Sequence, residues 1–157
     1  MEQYLDALER AFADYLQELE ERQKKTKPTD GLLGFGRSIK DDPCHERADE
    51  RVEKIIAELC ALSPAPETAV RAARLLLRAD GPNWPLSAQW MLRALERHVL
   101  PLVPFLAPAE AAALQREYAA RYKPWDRLPA QKAVYKALKA RAGEGTDGGL
   151  RFPSRKE

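Results

Sequence analysis

Side chains that commonly bind metals or act as nucleophiles lie close together at Asp41, Asp42, Cys44 and His45, with Asp49 one helical turn further on. An i, i+4 pair such as His45 and Asp49 shares one face of a helix. A structural zinc site needs four ligands, usually cysteines and histidines in two spaced pairs, and adjacent residues seldom bind the same ion. The spacing therefore favours a helix cap at Asp42, and we predict neither a metal nor another cofactor.

Cys44 is the best candidate for a nucleophile, because a thiol near a helix N-terminus has a lowered pKa. Neighbours in sequence rarely have the geometry for proton transfer, however, and the only other histidine, His98, belongs to a different predicted helix. No general base with an orienting partner can be named. Cys60 is on an apolar helix face and is expected to be an inert core thiol. The sequence therefore favours a protein without catalytic residues and leaves the enzyme class open.

A glycine-rich stretch at residues 31–38 is followed by Lys40. Its backbone amides could approach a phosphate, with Arg37 and Lys40 neutralising the charge. It follows a predicted helix rather than a strand, and it lacks the Gly-Lys-Ser/Thr ending of a nucleotide-binding loop. We therefore favour a sharply turning loop with buried apolar side chains. The alternative is a ligand site between the loop at 31–45 and the connection at 122–129, formed by Arg37, Lys40, Cys44, His45, Trp125 and Arg127.

Two rows of basic side chains occur at helical spacing. The arginine row consists of Arg71, Arg74 and Arg78, and the lysine row of Lys132, Lys136 and Lys139. Such rows bind phosphates in nucleic-acid-binding proteins, but any amphipathic helix also carries charge opposite its buried face. We interpret the lysine row as solvated surface. The arginine row is the candidate anion-binding site, because arginine favours bidentate contacts, and pairing with carboxylates of the first or second helix is the alternative.

The chain contains three tryptophans, Trp84, Trp90 and Trp125. Trp90 points away from the apolar stripe of its predicted helix, and we favour its burial because the residues that follow this helix are also apolar. Trp84 and Trp125 lie in proline-flanked connections, where a tryptophan usually fixes a loop to the core. An exposed Trp125 beside Lys123 and Arg127 would instead suit base stacking or peptide binding.

These residues are positioned by six segments with helical periodicity, separated by prolines and glycines. Five of the predicted helices cover 3–25, 46–62, 66–79, 108–122 and 129–143. The remaining one, fourth in order, begins at Asn83 or Ser87, and Pro101 and Pro104 are expected to kink or end it. Strand patterns are absent, and the connection at 26–45 is long for a helical domain. We therefore predict an all-α, single-domain bundle of about six helices over 1–142, with the fourth near the centre and an irregular, basic, glycine-rich tail at 143–157.

Composition places the chain among soluble proteins. Its 157 residues are 45% apolar and 32% charged, with two cysteines and no apolar run near the ~20 residues that span a bilayer. We therefore predict a cytoplasmic protein without membrane contact. The net charge of +2 combines a balance of −4 over residues 1–114 with +6 over residues 115–157. The basic end would attract an anionic partner.

These observations predict a small cytosolic helical interaction or structural module, a monomer or homodimer, whose partner is a protein. This hypothesis expects an exposed apolar patch on the first helix or around Trp90. One alternative is an anion- or nucleic-acid-binding protein that uses the basic C-terminal third. The second alternative is an enzyme or ligand-binding protein with its site between the loops at 31–45 and 122–129.

Overall fold

The computed structural model describes residues 1–25, 43–77 and 93–144, and every regular element in these ranges is helical. The α-helices are α1 (Glu2–Lys25), α2 (Pro43–Ala61), α3 (Pro66–Leu77), α4 (Pro108–Arg121) and α5 (Pro129–Gly143). A central 3-10 helix spans Glu96–Phe105, directly after a helical stretch at 93–95, and a single 3-10 turn at Pro124–Asp126 joins α4 to α5. The protein is therefore the all-α bundle of about six helical segments that the sequence predicts.

Prolines begin four of the five α-helices, because a proline ring suits the first helical turn, where no amide donor is needed. The predicted starts at 66, 108 and 129 are confirmed. The predicted start at 46 is wrong, since α2 begins at Pro43, and Cys44 and His45 therefore lie in its first turn. The connection at 26–42, the predicted start of the fourth helix and the tail from 145 onward lie outside the described residues.

The apolar stripe of α1 packs inside the molecule, against α2 and α3. The stripe residues Leu5, Leu8, Phe12, Tyr15 and Leu19 are all buried. The expected exposed apolar patch is therefore not on α1, and Trp90, the other place where we expected it, lies outside the described residues. Ion pairs reinforce the contacts of α1 with its neighbours, since Asp14 pairs with Arg51 of α2 at 2.6 Å.

The 3-10 helix is the central element, and it packs against α2, α3 and α5. Its apolar side chains and those at its two ends are buried: Leu95, Val99, Leu102, Val103 and Leu106. The helix does not end at Pro101 or Pro104 but continues through both in 3-10 geometry to Phe105. Proline fits this geometry because its fixed φ of about −65° lies within the 3-10 range. This segment of the predicted fourth helix is therefore central, as expected, but it is a 3-10 helix rather than an α-helix.

Helices α4 and α5 form a hairpin that packs on itself and on the central 3-10 helix. The hairpin interior contains Leu114, Tyr118, Val134 and Leu138, each at most 1% exposed. The residues between the two helices, 122–128, form a connection that Pro124 and Pro129 restrict. Among the described residues no helix has both the length and the apolar character needed to cross a bilayer.

Candidate functional site

The described residues of the predicted ligand site, Cys44 and His45 on the one hand and Trp125 and Arg127 on the other, lie on separate elements. His45, in the first turn of α2, faces Tyr15 of α1, with ring centroids 6.5 Å apart. Trp125 and Arg127 lie on the connection between α4 and α5, and the extensive contacts of α2 are with α1 and the 3-10 helix. Arg37 and Lys40 lie outside the described residues. In the described part of the chain, His45 therefore contacts different elements from Trp125 and Arg127.

An open groove of about 490 Å³ runs between α1 and α2, next to the first turn of α2. Its lining includes Cys44, which is 1% exposed, and Ala11. Ion pairs cross between the helices there, from Arg47 to Glu18 and from Arg51 to Asp14. Because the Cys44 thiol is buried, it does not offer the exposed thiolate that nucleophilic chemistry requires.

The Asp49 side chain contacts Arg97 and His98 of the central 3-10 helix and thereby connects α2 to that helix. One carboxylate oxygen is 2.8 Å from Nε2 of His98, and the other accepts a hydrogen bond from Arg97. Burial raises the pKa of the Asp49 carboxyl, but the hydrogen bond from His98 and the charge of Arg97 outweigh it, so the pKa is lowered. No group of three or more His, Cys, Asp or Glu side chains in the described ranges is arranged to hold a metal ion.

The Asp49–His98 pair is an imidazole with an orienting carboxylate, an arrangement that the sequence analysis did not find. The two residues are 49 positions apart and belong to different helices, so no local spacing connects them. A hydrolytic site also needs a nucleophile beside the imidazole. The Cys60 thiol instead donates to the carbonyl of Pro101 at 3.5 Å, and burial raises its pKa, the opposite of activation. The Asp49–His98 pair connects α2 to the 3-10 helix.

The candidate anion-binding arginines are engaged in ion pairs. Arg71 pairs with Glu2 of α1, with Nη2 3.0 Å from the second carboxylate oxygen. Arg74 makes a bidentate contact with Glu117 of α4 at 2.8 and 3.0 Å. The alternative for this row was pairing with carboxylates of the first or second helix. Arg71 pairs with the first helix in this way, whereas Arg74 pairs with α4. Arg78 lies outside the described residues. An anion at Arg71 or Arg74 would have to displace a carboxylate.

The turn that carries Trp125 is fixed by its own backbone and by Arg127. The amide of Asp126 donates to the carbonyl of Lys123 at 2.9 Å, which closes the 3-10 turn. The guanidinium of Arg127 donates to the carbonyl of Tyr122 at 3.1 Å and stacks over the Tyr135 ring, 4.1 Å from its centroid. These contacts involve both ends of the hairpin connection, so the turn is part of the folded hairpin.

Trp125 itself does not fix a loop to the core. Its side chain is 75% exposed, the largest exposed fraction of any large apolar side chain in the described ranges. The ammonium group of Lys123 lies 5.4 Å from the indole centroid, which is a cation–π contact. The indole is therefore exposed beside Lys123, whereas the Arg127 guanidinium contacts Tyr122 and Tyr135 instead; base stacking or peptide binding at this surface stays a prediction.

A buried polar network centred on Glu96 ties this turn to the core. Glu96 is 0% exposed, and its carboxylate accepts hydrogen bonds from Tyr118, from Tyr122 at 3.4 Å and from Gln131 at 3.1 Å. The side-chain oxygen of Gln131 in turn accepts from the amide of Leu128 at 3.0 Å. Since Tyr122 and Leu128 flank the Trp125 turn, the network fixes both ends of that turn to the central helix.

Comparison with known proteins finds no family model that matches the chain, no detectably similar curated protein and no detectably similar solved structure.

Replacing Asp49 by Asn should destabilise the protein by about 1–3 kcal/mol near neutral pH, because a hydrogen-bonded carboxylate with a lowered pKa favours the folded state. A lowered pKa contributes stability above the unfolded value of about 4, and this contribution is lost as pH falls through the folded value. Urea unfolding of wild type and variant between neutral and acidic pH measures the difference. A difference that grows below about pH 4 would contradict this assignment. Asp14→Asn, at an exposed ion pair, is the control.

Replacing Glu96 by Gln should lower the free energy of unfolding by about 1–3 kcal/mol, because an amide group would face side chains that already donate hydrogen bonds. The matched control is Glu117→Gln, which breaks the exposed ion pair with Arg74 and should cost less than about 1 kcal/mol. Urea denaturation of both variants provides the comparison. Equal losses in the two variants would show that the network does not hold the hairpin.

Proposed function

We propose that this protein is a small cytosolic helical interaction module that works through its outer surface, with the turn around Trp125 as its contact site. The observation that supports this proposal is an indole that is 75% exposed on a turn fixed at both ends. Tryptophan is enriched among residues that dominate binding energy, and it is costly to leave in water.

The fixed turn makes Trp125 efficient as a binding residue. Ordering a mobile loop on binding costs about 0.5–1.5 kcal/mol for each side chain that is immobilised. Here the backbone hydrogen bond from Asp126 to Lys123 and the contacts of Arg127 already order the turn in the free protein. A partner that covers the indole would therefore have to order the Trp125 side chain but not the backbone of the turn.

The polar side chains of the interior support a binding role over a catalytic one. Asp49 is held by Arg97 and His98, and Glu96 accepts from two tyrosines and a glutamine. These groups join helices to one another, and the carboxylate of Glu96 has no contact with solvent. An exposed indole suits two classes of partner, since it fills an apolar pocket on a protein or stacks on a base.

Trp125 should be required for binding but not for folding. Trp125→Ala should change the free energy of unfolding by no more than about 0.5 kcal/mol, as for other exposed positions. A photo-crosslinking amino acid at position 125 should form adducts in a cell extract, and the same amino acid at position 62 should not. Leu62 is the matched control, because it is an apolar side chain that is 53% exposed and directly follows α2 rather than lying on the hairpin.

Protease and nuclease digestion of the adducts then identifies the class of the partner. Adducts of equal yield at positions 125 and 62, or none at either position, would contradict the assignment of the contact site to Trp125. A large loss of stability in Trp125→Ala would show instead that the indole has a structural role.

A further inference from the structure

The basic side chains of α1 to α3 and the 3-10 helix are largely neutralised by carboxylates on neighbouring elements. Five such pairs connect different elements: Arg47 with Glu18, Arg51 with Asp14, Arg71 with Glu2, Arg74 with Glu117 and Arg97 with Asp49. In each pair the charge on the arginine serves a contact within the fold. These arginines are therefore poor candidates for binding an external anion.

The α4–α5 hairpin has a different charge arrangement. Residues 108–144 contain eight basic and four acidic side chains. The one ion pair formed within this hairpin, among the described residues, joins Arg141 to Glu144. The lysine row on α5, Lys132, Lys136 and Lys139, is exposed and forms no ion pair in the described part of the chain. Unneutralised positive charge is thus concentrated on the hairpin that carries Trp125.

The lysine row begins close to the Trp125 turn in sequence and continues along α5. With a rise of 1.5 Å per residue, the positions from Lys132 to Lys139 extend over about 10 Å of helix. Consecutive phosphates of an extended strand are several ångströms apart, so side chains as long as lysine can reach two or three of them. The hairpin therefore combines a stacking surface at one end with a row of cations along one helix.

We propose that the ligand of this surface is a single-stranded nucleic acid, with a base stacked on Trp125 and its phosphates next to Lys132, Lys136 and Lys139. This inference rests on the proposed function, because it names the partner of the same contact site. A single strand supplies both unpaired base planes and regularly spaced anions, which is the combination that aromatic and basic surfaces bind. An acidic protein supplies the charge but no base plane, and a duplex keeps its bases stacked inside.

The experiment measures fluorescence anisotropy of labelled oligothymidylate of about 16 nucleotides with the full chain over a range of salt concentrations. An abasic oligonucleotide of the same length is the charge-matched ligand. We expect the wild type to bind oligothymidylate more tightly than the abasic strand. Trp125→Ala should weaken binding of oligothymidylate by about tenfold and remove its advantage over the abasic strand.

The lysine row is tested separately by the salt dependence. Lys136→Gln with Lys139→Gln should reduce the slope of log K against log salt by about 1.4, since each phosphate contact on a single strand contributes about 0.7. Arg10→Gln with Lys54→Gln removes the same charge from α1 and α2 and should leave the slope unchanged. Thermal unfolding of each variant shows that it is folded.

Four results would overturn the inference: no binding of oligothymidylate at low salt, equal binding of the abasic strand, equal effects of the two double variants, or equal binding of polyglutamate. If oligothymidylate does not bind and position 125, unlike position 62, forms adducts with proteins only, the inference about nucleic acid fails while the assignment of the contact site to Trp125 is not contradicted. If position 125 also forms no adducts, the proposed function fails as well.

Discussion

The buried carboxylate of Glu96 is the constraint on which the C-terminal half of the structure depends. Taking a carboxylate out of water is unfavourable by several kcal/mol unless hydrogen bonds compensate it. Glu96 accepts hydrogen bonds from Tyr118 of α4, from Tyr122 directly after α4 and from Gln131 of α5. The apolar core favours burial of its side chains without regard to direction, whereas hydrogen bonds to Glu96 depend on where Tyr118, Tyr122 and Gln131 are placed.

This placement also determines the geometry of the surface. Gln131 binds Glu96 through its amide group and accepts from the amide of Leu128 through its oxygen. Tyr122 donates to Glu96 and offers its backbone carbonyl to Arg127. The residues on both sides of the Trp125 turn are therefore connected to the core through two side chains. The network in the interior and the turn that carries the exposed indole are therefore connected.

The sequence predicts the elements of this fold better than it predicts their contacts. The starts at Pro66, Pro108 and Pro129 follow from proline chemistry at a first helical turn, and the α1 stripe follows from helical periodicity. The central segment was predicted to kink or end at Pro101 because the i→i−4 pattern of an α-helix excludes proline there. A 3-10 helix accommodates proline, because the fixed φ of proline lies within the 3-10 range.

The candidate site was less predictable, since its important pairs are distant in sequence. Asp49 and His98 are brought together only by the packing of α2 on the 3-10 helix. Glu96 is a charged residue next to the apolar Leu95, and nothing local indicates that its carboxylate is buried. For Trp125 the sequence left burial and exposure open, because a proline-flanked connection is compatible with both. In the structure Trp125 is 75% exposed, and the contacts of Arg127 and Gln131 hold the residues on either side of it.

Backbone ¹⁵N relaxation tests most directly whether the network holds the Trp125 turn in place. The account predicts order parameters of about 0.85 at Lys123, Trp125, Asp126 and Leu128, equal to those of α4 and α5. Values below about 0.6 at these four amides, beside rigid helices, would contradict it, because the turn would then move independently of the core.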